Sequence, residues 1–510
     1  MSNNGRSAKS VRNVVTGVAN KLFMMILAFA TRTLFIRLLG AEYTGISSLY
    51  TNILSVLSLA EMGMGNVLMF YLYSALKEKD KSKIAELVNE FKRIYIAIII
   101  IVLSVGLLLI PFLKYIVHSS LDSKELTGYY VLYLINSVAS YFVVYRTTVL
   151  AADQKNYISN IVHTISNVIM YIFQIIYLLL FRDFWGYLLI QVLCTIGSNV
   201  ALNGIALKHY PFLKERTNVL QTDKQLVNRR NLFKNIKATF LFKISDTILD
   251  QTDSIIISIM FGMVVVGYYS NYYMLISYIV AIAGIIANGL VASFGNLNTE
   301  GNMKYSYEMF RVALTAFSVF GTICTTCYAC IVQDFVPIWV GVQYVMPYGL
   351  VVAVLAVFYL RMATNTMWMY RSAMGIFQEV QYINLVAAGL NIVLSVLLGK
   401  IMGVAGVIAA TAISRILTTF WYEGRVVFAK FGQSIWIYIH LQIKNFLICG
   451  ISVVVSYLIC SRLPVQRVII AIVVKLLVAV FISCSIVIFA YSWTPEFKTM
   501  IRKILGVLKR

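Results

Sequence analysis

The chain has 510 residues, of which 60% are hydrophobic and 13% charged, with a mean hydropathy of +0.81. These values exclude a soluble domain with a single anchor and place the whole length in the integral membrane class. The net charge of +22 resembles a nucleic-acid signal, but no nucleic acid is expected as a partner, because the lysines and arginines gather in connections on one side of a membrane.

The polar start, MSNNGRSAKSVRN, leads into the first apolar segment without an A-x-A-type site, so no cleavable signal peptide is expected. Fourteen spans can be drawn, at 14–39, 44–75, 93–116, 127–150, 157–181, 184–207, 236–261, 264–296, 310–333, 346–370, 379–400, 403–423, 436–461 and 467–492. The predicted fold is therefore an all-α integral membrane protein with 14 transmembrane helices. An even number puts both termini on one side. With that side cytoplasmic, 30 of the 43 lysines and arginines lie in inner connections, inner span ends and termini. Only Lys114, Lys124, Arg182, Lys400, Arg462 and Arg467 lie outside, as the positive-inside rule requires. Residues 76–92 read as a charged amphipathic surface helix, and the stretch 334–347 as an aromatic outer connection. Residues 208–237 are the longest polar stretch. The basic tail suits an anionic inner leaflet.

The linker separates two halves that repeat. A constant offset of 222 pairs Asn13 with Asn235, Lys21 with Lys243, Gly40 with Gly262 and Gly45 with Gly267. It also pairs Tyr50 with Tyr272 and Asn66 with Asn288. Further on, Tyr145–Arg146 matches Tyr370–Arg371, and Tyr157 matches Tyr382. The expected domains are a six-helix N-lobe at 1–207, a basic linker at 208–235, a six-helix C-lobe at 236–430, and two extra helices with a basic tail at 431–510. Each repeat has an even number of spans, so the two six-helix bundles run in the same direction. Their pseudo-twofold axis lies along the membrane normal, and such repeats bind substrate at their interface and alternate access by rocking.

The stretch FLFKISDTILDQTDSIIISIMFG, residues 240–262, is long enough to span a bilayer yet carries Lys243, Asp246, Asp250 and Asp253. On a helix these fall within an arc of roughly 80°. Four charges near the bilayer centre cost on the order of 10 kcal/mol without compensation. The face must meet water, a partner charge or a ligand, although Lys243 and Asp246 could also snorkel to the membrane surface. The paired first helix has Lys21, Arg32 and Arg37 and no acid; Lys21 and Arg32 lie roughly 20° apart on one face. Opposed walls of opposite charge suit a site that alternates between internal pairing and ligand binding. Snorkelling of Arg37 and Lys21 is the competing reading. Glu61 sits beside Gly63 and Gly65, and Gly284 and Gly289 occupy the corresponding region of the second half; these glycines serve either close helix packing or a bend. Arg361 and Arg415 lie in apolar sequence, where an arginine is a functional candidate whose planar fork suits a phosphate. Cys324, Cys327 and Cys330 form CTTCYAC without a nearby histidine or a second pair, so no metal is expected. The four histidines are scattered, and no P-loop or nucleophile elbow is present, so the chain is read as a non-enzyme.

The opening RNVVTGVANKLF…RLLGAEYTGI and the run DSIIISIMFGMVVVGYYS that begins at Asp253 resemble the polysaccharide-flippase branch of the multidrug/oligosaccharidyl-lipid/polysaccharide transporter superfamily, the Wzx-like O-antigen and capsule translocases. The resemblance runs from about residue 10 to 495 and adds a MATE-like arrangement to the expected fold. It implies translocation of undecaprenyl-diphosphate-linked oligosaccharide repeat units across a bacterial cytoplasmic membrane by alternating access. Membrane lipids and polysaccharide polymerase or assembly proteins are then partners. On that reading Lys21, Arg32, Arg361 and Arg415 suit the diphosphate, and Asn66, Asn288 and the tyrosines suit the sugars. Glu61, Asp246, Asp250 and Asp253 are candidates for ion coupling. No cofactor is expected beyond H+ or Na+. The competing readings are a lipid II flippase, a multidrug/cation antiporter and a membrane polysaccharide polymerase; the short outer connections count against the last.

Overall fold

A computed structural model of the chain describes residues 3–58, 64–214, 229–299, 302–376, 379–463 and 467–508. Every regular element among them is helical. In hydrocarbon a backbone must satisfy its own polar groups, so long apolar runs fold as helices. Among the described residues, twelve helical segments are long and apolar enough to cross a membrane. The other two expected spans correspond to α2 (Ala41–Leu57) with α3 (Met64–Glu78), and to the charged α10 (Arg229–Phe261).

The chain packs as two compact units, Met1–Gly267 and Tyr268–Arg510. Unit 1 contains α1 (Asn3–Leu39), α2, α3, α4 (Lys81–Leu108), α5 (Leu113–Ile116), α6 (Ser123–Ala139), α7 (Val144–Ala152), α8 (Asn156–Phe181), α9 (Phe184–His209), α10 and the start of α11 (Met263–Thr299). Within it α1 lies on α2 and α8, α2 lies on α6 and α10, and α8 pairs with α9. The interior is rich in tyrosine, and its hydroxyls find backbone acceptors. Fully buried Tyr50 donates to the Leu126 carbonyl at 3.0 Å, and Tyr130 to that of Gly106 at 3.1 Å.

Gly40 joins α1 to α2 at φ +92°, and Gly262 joins α10 to α11 at φ +87°. Both turns need a conformation that side chains disfavour. They are partners at the repeat offset, so the duplicated glycines mark one turn built twice. Tyr50 and Tyr272, another such pair, are both fully buried.

Three sequence expectations change. Residues 81–92 are not a separate surface helix but the first turns of α4, which Asp80 caps by accepting from the Lys83 N–H at 3.0 Å. Ile84, Val88 and Phe91 are buried, so one face of this charged segment packs inward. Asp334 does not begin a connection, because α12 (Met303–Trp339) continues past it. In addition, the helix expected at 127–150 is broken at residues 140–143, between α6 and α7.

Unit 2 contains the rest of α11, α12, α13 (Tyr348–Met374), α14 (Gln381–Met402), α15 (Val404–Arg415), a π-helical turn (Ile416–Phe420), α16 (Trp421–Lys430), α17 (Ile435–Ser461), α18 (Val468–Tyr491) and α19 (Pro495–Leu508). It is arranged around α12, which packs on α13, α17, α18 and α19. The last helices are bonded along the length of α12. Lys475 of α18 pairs with Asp334 at 2.5 Å, and Arg311 pairs with Glu496 of α19 at 2.6 Å. Between these ends Asn445 donates to Ser318 at 2.9 Å, accepts from Tyr491 at 2.6 Å, and Thr326 meets Ser452 at 2.9 Å. Without a hydrophobic driving force between helices in lipid, such polar contacts and close packing supply the adhesion. Arg371 of α13 forms a buried ion pair with Glu423 of α16. The repeat-related Arg146 of α7 donates instead to the neutral Asn203 of α9.

Replacing one member of the Arg371–Glu423 pair strands the other charge. Arg371→Met is expected to cost about 3–5 kcal/mol, whereas Arg371→Met with Glu423→Met together recovers most of the loss. Thermal unfolding in detergent checks this, and equal losses in the single and double variants would contradict it.

Candidate substrate and ion sites

The Arg32 side chain emerges from α1 into a cluster of aromatic rings and hydroxyls. It is half-buried, and its Nη2 lies 3.4 Å from the Ser48 hydroxyl of α2. Its guanidinium carbon is 5.8 Å from the Phe35 ring centre, within cation–π range. Phe35 is held in turn by Phe184 and Tyr187 of α9, with ring centres 5.5 and 4.9 Å away. Tyr133 of α6 donates to the Ser47 hydroxyl at 2.7 Å. Tyr133 and Tyr187 both lie within the electrostatic reach of Arg32. The cluster thus joins α1, α2, α6 and α9 around one fixed positive charge. A planar guanidinium suits bidentate contact with phosphate oxygens, and hydroxyls that donate and accept suit sugar hydroxyls.

A second polar group lies where α10 meets α2. Asn52 donates to the Ser254 hydroxyl at 2.8 Å, and the adjacent Asp253 is only 7% exposed. Asp250 is half-buried one turn earlier on α10. A carboxylate buried to this degree needs a proton, a cation or hydrogen-bond donors.

The remaining candidates are dispersed. Lys21 is exposed on α1, and Asn288 is exposed on α11. Arg361 and Arg415 are half-buried in unit 2, on the mutually packed α13 and α15. Arg415 ends α15 and directly precedes the π-helical turn. Such turns recur at functional positions, where the extra residue rotates the next helical turns about their axis. Glu61 and Gly63 lie outside the described residues, as do the side chains of Asn66, Lys243 and Asp246. At Gly284 and Gly289 no described residue comes within 4 Å of where a side chain would begin.

Sequence reasoning missed Ser47, Ser48 and Asn52, because small polar residues on apolar helices commonly bond their own backbone and leave no periodic signal. Arg371 was visible as the partner of Arg146 but had no assigned role. Acids in otherwise apolar sequence, Asp334 and Glu423, were the available clue to these ion pairs.

No curated protein matches the chain in sequence. Among solved structures, it is similar to an inward-closed lipid II flippase MurJ, with a TM-score of 0.67 at 15% identity, over 94% of this chain and 99% of that one. An inward-facing multidrug resistance MATE family transporter of the MOP superfamily gives 0.61 at 12% identity, over 79% and 94%. The Vibrio cholerae MATE transporter gives 0.55 at 12% identity, over 83% and 97%. These likenesses establish the fold as MurJ- and MATE-like. Residues 10–291 match the family model described as polysaccharide biosynthesis protein, and over more than half its length the chain therefore belongs to that family of membrane proteins.

Proposed function

We propose that the protein flips undecaprenyl-diphosphate-linked oligosaccharide repeat units across the bacterial cytoplasmic membrane by alternating access, for the assembly of a capsule, exopolysaccharide or O-antigen. The observation that carries this reading is the Arg32 cluster, in a chain whose family is polysaccharide biosynthesis and whose fold is that of flippases and transporters. The diphosphate is a strongly anionic part of every such substrate, and Arg32 offers a permanent cation with a planar fork. The sugars meet Ser47, Ser48 and the tyrosines. The isoprenoid tail stays in the bilayer, and the polar headgroup is what the protein must shield. Lys21, Arg361 and Arg415 serve as further diphosphate contacts, with Asn66 and Asn288 as sugar contacts. Asp253, with Asp250, Asp246 and Glu61, couples transport to H+ or Na+. The basic bias of one set of connections supports a cytoplasmic location for both termini. The expected lobes at 1–207 and 236–430, with the linker 208–235 and the helices of 431–510, are the bodies that rock. Polymerase and assembly proteins take over the product on the far side.

A lipid II flippase is the second reading, supported by the likeness to MurJ. It shares the diphosphate chemistry and differs only in the glycan, and the family match favours the first.

Translocation of a fluorescent lipid-linked oligosaccharide in proteoliposomes tests the proposal. Losing a charge-assisted contact to phosphate is worth about 1.5–3 kcal/mol, so Arg32→Ala should slow transport by roughly 10- to 100-fold. Arg32→Lys should fall between, since it keeps the charge and loses the fork. Wild-type rates in Arg32→Ala would remove the residue from the mechanism. In the same vesicles, transport by Asp253→Asn should lose its response to an imposed proton or sodium gradient; an unaltered response would exclude Asp253 as the coupling group.

A further inference from the structure

We propose that a reciprocal glycine contact between the starts of α2 and α11 is the seal that closes unit 1 at the end opposite the N-terminus, and that this seal parts during transport. The proposal deepens the alternating-access reading above and rests on it.

At Gly45 a side chain would begin 2.1 Å from the Met263 carbonyl oxygen, and at Gly267 it would begin 2.1 Å from the Ala41 carbonyl oxygen. Gly267 stands 222 residues after Gly45, and Met263 stands 222 after Ala41. Each glycine therefore packs on the repeat equivalent of the other's neighbour, as a local twofold requires. The contact is backbone against backbone and admits no other residue without displacement.

The surrounding bonds tie three connections together at the same end. The Met263 N–H donates to the His118 carbonyl at 3.0 Å, and the Ser258 hydroxyl to that of Ile116 at 2.5 Å. Glu42, in the first turn of α2, accepts from the Ser119 hydroxyl at 2.7 Å, and from the Ser120 N–H at 2.6 Å and its hydroxyl at 2.8 Å. Partial burial raises the Glu42 carboxyl, but these three donors outweigh it and hold the group below its usual range, so the clamp is ionised at neutral pH.

The seam is coupled to the site, because it shares α2 with the Arg32 cluster. One side of α2 carries Gly45 and Asn52 against α11 and α10, and another carries Ser47 and Ser48 toward Tyr133 and Arg32. Movement of α2 therefore changes the seal and the site together.

The test uses a reporter at Thr51→Cys, an exposed position on α2 below the seal, in full-length protein with the seven native cysteines replaced. A membrane-impermeant maleimide is applied in vesicles to the face opposite the N-terminus. Gly267→Val wedges the seam and is expected to raise labelling by at least about fivefold, the effect of ~1 kcal/mol on a two-state equilibrium. A second variant adds no bulk: His118→Cys with Met263→Cys. The backbone bond between these residues brings their Cα atoms within the roughly 4.4–6.8 Å that a disulfide spans. Oxidation with copper phenanthroline should reduce reporter labelling from that face to background, and reduction should restore it. Equal labelling of the oxidised and reduced forms would overturn the proposal. No substrate enters the assay, so its outcome is separate from the identity of the transported lipid.

Discussion

A charged or hydroxylated side chain on a membrane-spanning helix has to be met by a partner, by water or by a ligand, because hydrocarbon solvates none of them. That constraint sorts the polar residues of this chain into two sets. In unit 2 several are matched to one another: Arg371 with Glu423, Lys475 with Asp334, and Asn445 with Ser318 and Tyr491. The first joins α13 to α16, and the others tie α17 and α18 to α12 and to each other. In unit 1 the polar residues converge on Arg32 and on the junction of α10 with α2. The first set holds unit 2 together, and the second forms the candidate site.

Duplication supplies the geometry. Gly40 and Gly262 make the same turn in each half, and Gly45 and Gly267 let the helices beyond those turns touch backbone to backbone. The repeat has diverged where chemistry differs. Arg146 meets a neutral amide while Arg371 meets a carboxylate, and Tyr50 donates to a backbone carbonyl while Tyr272 donates to the Gln333 side chain. Divergence of partners around retained residues is what a twofold scaffold permits when its two halves take on different tasks.

Much of the fold was legible because hydropathy and the demand for internal backbone bonding are strong, local and redundant. The repeat offset located Gly40, Gly45, Gly262 and Gly267 before any contact was known. Residues 76–92, rich in lysine and glutamate, look like a separate surface helix, and only tertiary packing shows Ile84, Val88 and Phe91 turned inward on α4. The candidate site was legible only through its charge. Arg32 and Asp253 stand out against apolar neighbours, whereas Ser48, Asn52 and Tyr133 acquire meaning from helices far apart in sequence. The partners of Lys475 and Arg371 were hidden for the same reason, since pairing across 141 and 52 positions leaves no periodic trace.

The most direct measurement of whether the Arg32 cluster receives an anionic lipid headgroup is photo-crosslinking from a benzophenone amino acid placed at Tyr187, beside Phe35 and Arg32. In native membranes the expected adduct is a lipid-linked oligosaccharide, displaced by added undecaprenyl-diphosphate-linked sugar and not by undecaprenol, which lacks the phosphates. Adducts formed only with bulk phospholipid, or displaced equally by undecaprenol, would contradict a headgroup site at Arg32.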